Sequence, residues 1–267
     1  MPLISRPAPS IPRSIFLSPH PDDAVLSCGG TIYRLAENGY RPIVITLFGG
    51  DRPIGTPLSA FARDLQQRWQ LGENAPAARR DEDRAACDQL GAMLIHLPFA
   101  DAVYRSDPVT QRWLYDSEAA IFGPVREADI VARVAEALQS KLRLAGSSVR
   151  VFVPLTAGGH VDHVITRAAA ERLKIDLDYY EDYPYAEQPD RLTHVWGDAP
   201  DARDTAWRSE AVELSEAALQ AKINAFLRHR SQISTFYRDD DEVTQRMRAY
   251  ALAVGQGQPV ERFWRPR

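Results

Sequence analysis

Ser14-Ile-Phe-Leu-Ser18-Pro-His20-Pro-Asp22-Asp23-Ala-Val-Leu-Ser-Cys28-Gly-Gly30 is an apolar strand that breaks at proline into one histidine and two adjacent carboxylates. The residues after the break decide the fold. From Asp22 to Asn38 the residues Val25, Leu26, Ile32 and Leu35 make an apolar helical stripe, and Gly39 supplies the stop. Gly29 and Gly30 each cost such a helix about 1 kcal/mol against alanine, so their expected purpose is close packing of helix on sheet. Pro42–Phe48 (PIVITLF) reads as a second buried strand, ended by Gly49-Gly50-Asp51. Strand, helix and strand in succession form a βαβ unit, which predicts a parallel sheet.

The same pattern continues outward. Helices are expected at Leu58–Leu71, Ala75–Leu90, Val125–Leu144, Val161–Leu173, Ser215–Arg228 and Asp241–Val254. Strands are expected at Met93–Leu97, Arg150–Leu155, Asp176–Glu181, His194–Gly197 and Thr205–Leu214. Phe99–Gly123 lacks clear periodicity and carries Tyr104, Trp113, Tyr115 and Phe122; it reads as a loop or lid that walls a site, and equally as core. No repeat, low-complexity tract or linker divides the chain. The expectation is one α/β domain over residues 1–267, a Rossmann-like three-layer sandwich around a mainly parallel sheet.

Composition narrows the partners. The 267 residues suffice for a sizeable core, and 45% apolar with 25% charged residues is ordinary for a soluble globular protein. A net charge of −4, with arginines interleaved among acids, argues against nucleic acid as a partner. Cys28 and Cys87 form neither a disulfide framework nor a CxxC knuckle. The N-terminal stretch has no apolar core of the export-signal kind, and no run approaches a membrane span, so a cytoplasmic address is expected. Nothing in the sequence speaks against a homo-oligomer.

In parallel α/β sheets, catalytic groups gather beyond the C-terminal strand ends. Two motifs fall there: His20-Pro-Asp22-Asp23 after the first strand, and His160-Val-Asp162-His163 after Arg150–Leu155. His20, Asp23 and His163 give three ligands and an open position, the pattern of a catalytic zinc site, with another divalent ion as substitute. Asp22, diverging from Asp23, is free to act as general base. His160 is the candidate acid toward the leaving group, with Asp162 fixing its tautomer. The plainer alternative makes the paired aspartates a helix cap and first-turn acid, worth about 0.5–2 kcal/mol. Asp239-Asp240-Asp241-Glu242 reads as capping acids, and His96, His194 and His229 as structural.

These residues resemble the PIG-L/LmbE-like family of zinc-dependent N-acetylglucosaminyl deacetylases. The likeness rests on His20-Pro-Asp22-Asp23 with Val25-Leu26-Ser27-Cys28-Gly29-Gly30, and on His160-Val-Asp162-His163. Arg79-x-x-Glu82 with Ala85-Ala86 and Leu90-Gly91 resembles a third segment, whose arginine in relatives reaches the substrate. The resemblance implies a Rossmann-like fold, zinc on His20, Asp23 and His163, Asp22 as base, and Arg79 as substrate ligand, with Tyr104 and Arg105 beside it. Ala24 stands where the family usually has glutamate. With Asp101-Ala-Val-Tyr104-Arg105, Glu181-Asp182-Tyr-Pro184-Tyr185 and Glu261-Arg-Phe-Trp264, it is similar to a subgroup that includes deacetylases of glycopeptide-antibiotic sugars. Gly158 occupies a position where some members carry an oxyanion-stabilising tyrosine.

The implied reaction is hydrolysis of an acetamide on an amino sugar or glycoconjugate, giving acetate and a free amine. An amidase on a non-sugar N-acyl amine and an inactive sugar-binding relative are the alternatives. A nucleotide-binding Rossmann protein and a serine hydrolase are disfavoured, because neither GxGxxG nor GxSxG is present.

Overall fold

The computed structural model describes residues 13–72, 74–145, 149–196 and 206–267. The first strand, β1 (Arg13–Ser18), and helix α1 (Asp23–Glu37) flank the histidine–aspartate break. There follow β2 (Ile43–Thr46), α2 (Ala60–Arg68), α3 (Ala75–Gln89), β3 (Met93–His96), the short α4 (Glu118–Ile121) and α5 (Ile130–Ala145). The remainder is β4 (Val149–Pro154), α6 (Val161–Glu171), β5 (Leu177–Tyr180), α7 (Pro189–Trp196), β6 (Trp207–Glu213), α8 (Glu216–Phe226), α9 (Arg230–Phe236), α10 (Asp240–Val254) and β7 (Val260–Pro266).

The seven strands form one sheet in the order β3-β2-β1-β4-β5-β7-β6. The first five are parallel; β7 runs antiparallel to β5, and β6 antiparallel to β7. Strand alternation sends Phe16, Val44, Phe152 and Phe263 to one face, where they meet apolar residues of α1, α3, α8 and α10. Ile15, Leu17, Ile45, Val151, Val153 and Tyr179 go to the other, against α5 and α6. That is the three-layer α/β sandwich the sequence predicts. The order reverses direction between β1 and β4, the strands that carry the two motifs, so both motifs open onto the same crevice.

Three expectations change. His194–Gly197 is not a strand: His194 lies in α7, which starts at Pro189 and places Leu192, Val195 and Trp196 toward the core at helical spacing; Gly197, like Thr205, lies outside the described residues. Helix α5 begins at Ile130, not Val125. Strand β7 is not among the expected strands, because Glu261, Arg262 and Arg265 make it look polar. Their charges are met by Lys222, Glu181 and Asp178.

Glu261 explains the glycines of α1. Its carboxylate accepts the Gly30 and Thr31 N–H groups at 3.0 and 2.8 Å and the buried Lys222 ammonium at 2.8 Å. A Cβ on Gly30 would lie 2.6 Å from Leu214, and one on Gly29 would lie 3.0 Å from Lys222. The close approach is therefore to α8 and its leading loop, and through Glu261 to strand β7 of the sheet. It ties α1, which carries Asp23, to the C-terminal strand.

His229, between α8 and α9, is fully buried with neither ring nitrogen partnered. Burial pushes its pKa down to about 4. The unfolded chain gains this proton near pH 6.5 and the folded chain near 4, so acidification through that window favours unfolding. Wild-type stability is expected to fall by about 3 kcal/mol more than that of His229→Phe between pH 7 and pH 4. Urea unfolding across pH checks this, and parallel curves for the two proteins would contradict it.

Candidate active site

Ser18, at the end of β1, shapes the first loop. Its hydroxyl donates to the His20 carbonyl and accepts the Ala24 N–H at 2.9 Å. This cap leaves the Asp22 carboxylate for other uses, while Asp23 Oδ2 accepts the His20 N–H at 2.8 Å. Asp22 occupies the N-cap position of α1 with no side-chain cap bond, and its backbone has φ 147° and ψ −34°. A non-glycine residue there carries strain of order 1–3 kcal/mol. Helix α6 is capped by His160, whose Nδ1 accepts the Asp162 N–H at 3.2 Å. That contact leaves Nε2 of His160 to bear the proton of the neutral ring.

The loops bring His20 and His163 to one carboxylate oxygen. Asp23 Oδ2 lies 3.2 Å from His20 Nδ1 and 3.3 Å from His163 Nε2. Each imidazole is held from behind by a second carboxylate: His20 Nε2 meets Asp162 Oδ2 at 3.0 Å, and His163 Nδ1 meets Asp182 Oδ1 at 2.5 Å. Asp182 also accepts the Ala157 N–H at 3.1 Å, and Asp162 the Ala102 N–H at 3.0 Å. Carboxylate–histidine pairs of this kind fix the tautomer and aim the free nitrogen at a metal. Among the described residues two groupings of donor atoms fall within 4.8 Å of one another, His20 with His160 and His163, and His20 with Asp101 and Asp162; Asp23 is in neither.

The electrostatics also fit a cation. Asp22, Asp23, Asp101, Asp162 and Asp182 are all buried, against the buried guanidinium groups of Arg79 and Arg105. Burial disfavours a charged imidazole at His163, yet the carboxylates of Asp23 and Asp182 outweigh it and push the pKa up to about 10. His20 is likewise raised despite burial, by Asp101, Asp162 and Asp23. The pocket pulls positive charge onto both rings, which a divalent ion on the same donors would supply. Asp22 is raised well above the usual carboxylate range by burial and by Asp23, with Arg79 opposing. His160 is pushed well down by burial and by His20, which keeps it neutral.

The three residues expected at the substrate have buried protein partners. Arg79 is buried over the Trp69 ring, 3.1 Å from Asp101 and 3.8 Å from Asp22. Arg105 lies 2.7 Å from Asp162 and 3.1 Å from Glu127, between the rings of Phe48 and Tyr115. Tyr104 is buried, its hydroxyl accepting from Gln66. Arg79 and Arg105 thereby pair with carboxylates of the site, and Arg79 and Tyr104 line a small pocket with Asp101. The Asp162 carboxylate orients His20, and only its backbone N–H touches His160. The two sequence motifs do not include Asp101 or Asp182; each follows a parallel strand, and that position is the signal the sequence offers for them. Of the aromatic segment, Tyr104 and Tyr115 are core, while Phe122 lines a cleft. Asp239 caps α10 through the Glu242 N–H, as expected.

The family model for PIG-L, GlcNAc-PI de-N-acetylase, matches residues 15–174, more than half of the chain. The chain belongs to this family. It is 31% identical over 186 residues to 2'-N-acetylparomamine deacetylase of Streptomyces fradiae, a stretch covering 67% of this chain and 60% of that protein. It is 30% identical over 278 residues to 1D-myo-inositol 2-acetamido-2-deoxy-alpha-D-glucopyranoside deacetylase 1 of Saccharopolyspora erythraea, covering 93% and 86%. The crystal structure of the zinc-inhibited form of a teicoplanin deacetylase superposes with a TM-score of 0.78 at 27% identity, covering 95% of this chain and 97% of that one.

Replacing Asp182 by asparagine removes the charge behind His163. Zinc affinity is expected to fall about 10–100-fold, read by competition with a chromophoric chelator. An unchanged affinity would place His163 outside the metal's ligands.

Proposed function

We propose that this protein is a metal-dependent N-deacetylase that removes the acetyl group from an amino sugar or sugar conjugate. The observation that carries the reading is the meeting of His20 and His163 at Asp23, with the strained Asp22 beside it, 3.8 Å from Arg79, in a chain of this family. His20, Asp23 and His163 would hold the ion. Bound there, a zinc ion would supply Lewis acidity toward the acetyl carbonyl and the attacking water.

The chain's own residues do the rest. Asp22 has a carboxylate basic enough to take the proton of the attacking water, and its fixed backbone and Arg79 hold it in place. Water oxygen bonds to the acetyl carbon, and the carbon–nitrogen bond then breaks. The proton held on Asp22 passes to the departing nitrogen, so acetate and a free amine result. His160, neutral by burial, offers its Nε2–H as a hydrogen-bond donor rather than as a charged acid. This departs from the role its spacing suggests, because its carboxylate partner is turned to His20.

The cleft that receives the substrate holds about 480 Å³ and is lined by Phe61, Ile121, Phe122, Tyr185 and Phe236, with Arg68 and Arg191 among its polar groups. Aromatic walls interleaved with polar side chains, Arg246 and Gln188 also among them, suit a sugar ring that carries a further substituent. Among the described residues no helix is long and apolar enough to cross a membrane.

Acetate release from a panel of N-acetylated amino sugars and non-sugar acetamides tests the assignment. Chelation should abolish it and zinc restore it. Asp22→Asn should retain metal and lose about 10²–10⁴-fold in kcat. Full activity of that variant, or turnover of only the non-sugar amides, would contradict the reading.

A further inference from the structure

The rings of Phe122, His160, His163 and Tyr185 form a closed circuit. Successive centroids are 5.5 Å apart for Phe122 and His160, 5.6 Å for His160 and His163, 5.9 Å for His163 and Tyr185, and 5.9 Å for Tyr185 and Phe122. The two imidazoles belong to the metal site; Phe122 and Tyr185 line the cleft. Tyr185 therefore stands at the border, one side against a metal-site histidine and the other toward incoming substrate.

Away from the cleft its ring is held by close neighbours. It sits directly on Gly158, where a Cβ would lie 2.6, 2.8 and 2.9 Å from three ring atoms. Only glycine leaves room for it. His163, Phe122 and Phe236 meet the ring edge to face. The backbone is anchored to the same turn as Asp182, whose carbonyl accepts the Ala186 N–H at 2.9 Å. A residue placed by the turn that orients His163 moves only if the site moves.

The hydroxyl contrasts with this. Tyr104, Tyr115, Tyr180 and Tyr250 each spend theirs on a protein partner. That of Tyr185 has none among the described residues, and it is not among the buried unsatisfied atoms. A tyrosine ring buried against neighbours usually pairs its hydroxyl. A rigid phenol left unpaired at the mouth of a hydrolytic site has a donor to give to what binds there.

We propose that Tyr185 is a catalytic residue, whose hydroxyl donates a hydrogen bond to the acetamide oxygen as negative charge gathers on it. The proton stays on the phenol, so no group is transferred and none need be restored. A pre-aimed donor of this kind acts in the transition state more than on bound substrate. The inference rests on the deacetylase reading above.

The test uses Tyr185→Phe and Gly158→Ala in the zinc-loaded full chain. Tyr185→Phe should lower kcat by about 10²–10³-fold with KM, zinc affinity and thermal midpoint unchanged. Gly158→Ala should displace the ring and lower kcat in the same way, and the double variant should be no worse than Tyr185→Phe alone. A Tyr185→Phe enzyme with wild-type kcat, or a raised KM as its sole change, overturns the proposal, the latter because the hydroxyl would then be a ground-state sugar contact. Loss of zinc in Tyr185→Phe overturns it too, by making the residue a support for His163. Wild-type protein that releases no acetate from the panel overturns the deacetylase reading and this one with it; an active wild type with an equally active Tyr185→Phe overturns this one alone.

Discussion

The contact of Asp23 with both His20 and His163, sealed from solvent, governs the architecture around it. A carboxylate between two imidazoles in a buried pocket is stable only when every remaining lone pair and proton is accounted for. The chain does this with a second layer of carboxylates. Asp162 and Asp182 take the outward ring protons, and backbone N–H groups of Ala102 and Ala157 then fix those carboxylates. Arg105 compensates Asp162 and is itself sandwiched between aromatic rings. The result is a buried cluster in which Asp23 Oδ2 lies 3.2 Å from His20 Nδ1 and 3.3 Å from His163 Nε2.

Asp22 shows what this arrangement is used for. It sits next to a proposed ligand in the chain but is turned away from it by a backbone conformation that few residues other than glycine adopt. Ser18 performs the capping that an aspartate there would ordinarily supply. Arg79 balances it from 3.8 Å, too far for a tight pair, which leaves the carboxylate able to accept a proton. Lys222 and Glu261 act at longer range. They lock α1 to the C-terminal strand, so the loop that bears Asp22 and Asp23 starts from a fixed helix.

Much of this is legible in the sequence because the decisive elements are local. An apolar run ending in His20-Pro-Asp22-Asp23 is a strand end whatever surrounds it, and Arg150–Leu155 before His160 gives the same signal. The reversal of strand order between them is a long-range feature, the pairing of β1 with β4 (Arg13 opposite Val149), which the local pattern does not specify. The illegible parts depend on pairing across the fold. Strand β7 looks polar because its charges are satisfied by residues as distant as Asp178 and Lys222. His194 sits in a run whose β-branched and aromatic residues suggest a strand, and helix α7 wins through packing of Leu192, Val195 and Trp196. The neighbours of Arg79, Tyr104 and Arg105, namely Asp22, Asp101, Gln66 and Asp162, are likewise partners that only the tertiary structure supplies.

A divalent ion held between His20, Asp23 and His163 is the feature on which the whole reading turns. Crystals grown with zinc and measured on either side of the zinc absorption edge test it directly. One strong anomalous peak per chain is expected, bonded to His20 Nδ1, Asp23 and His163 Nε2. A peak among His20, Asp101 and Asp162 instead, or no peak at saturating zinc, would contradict it.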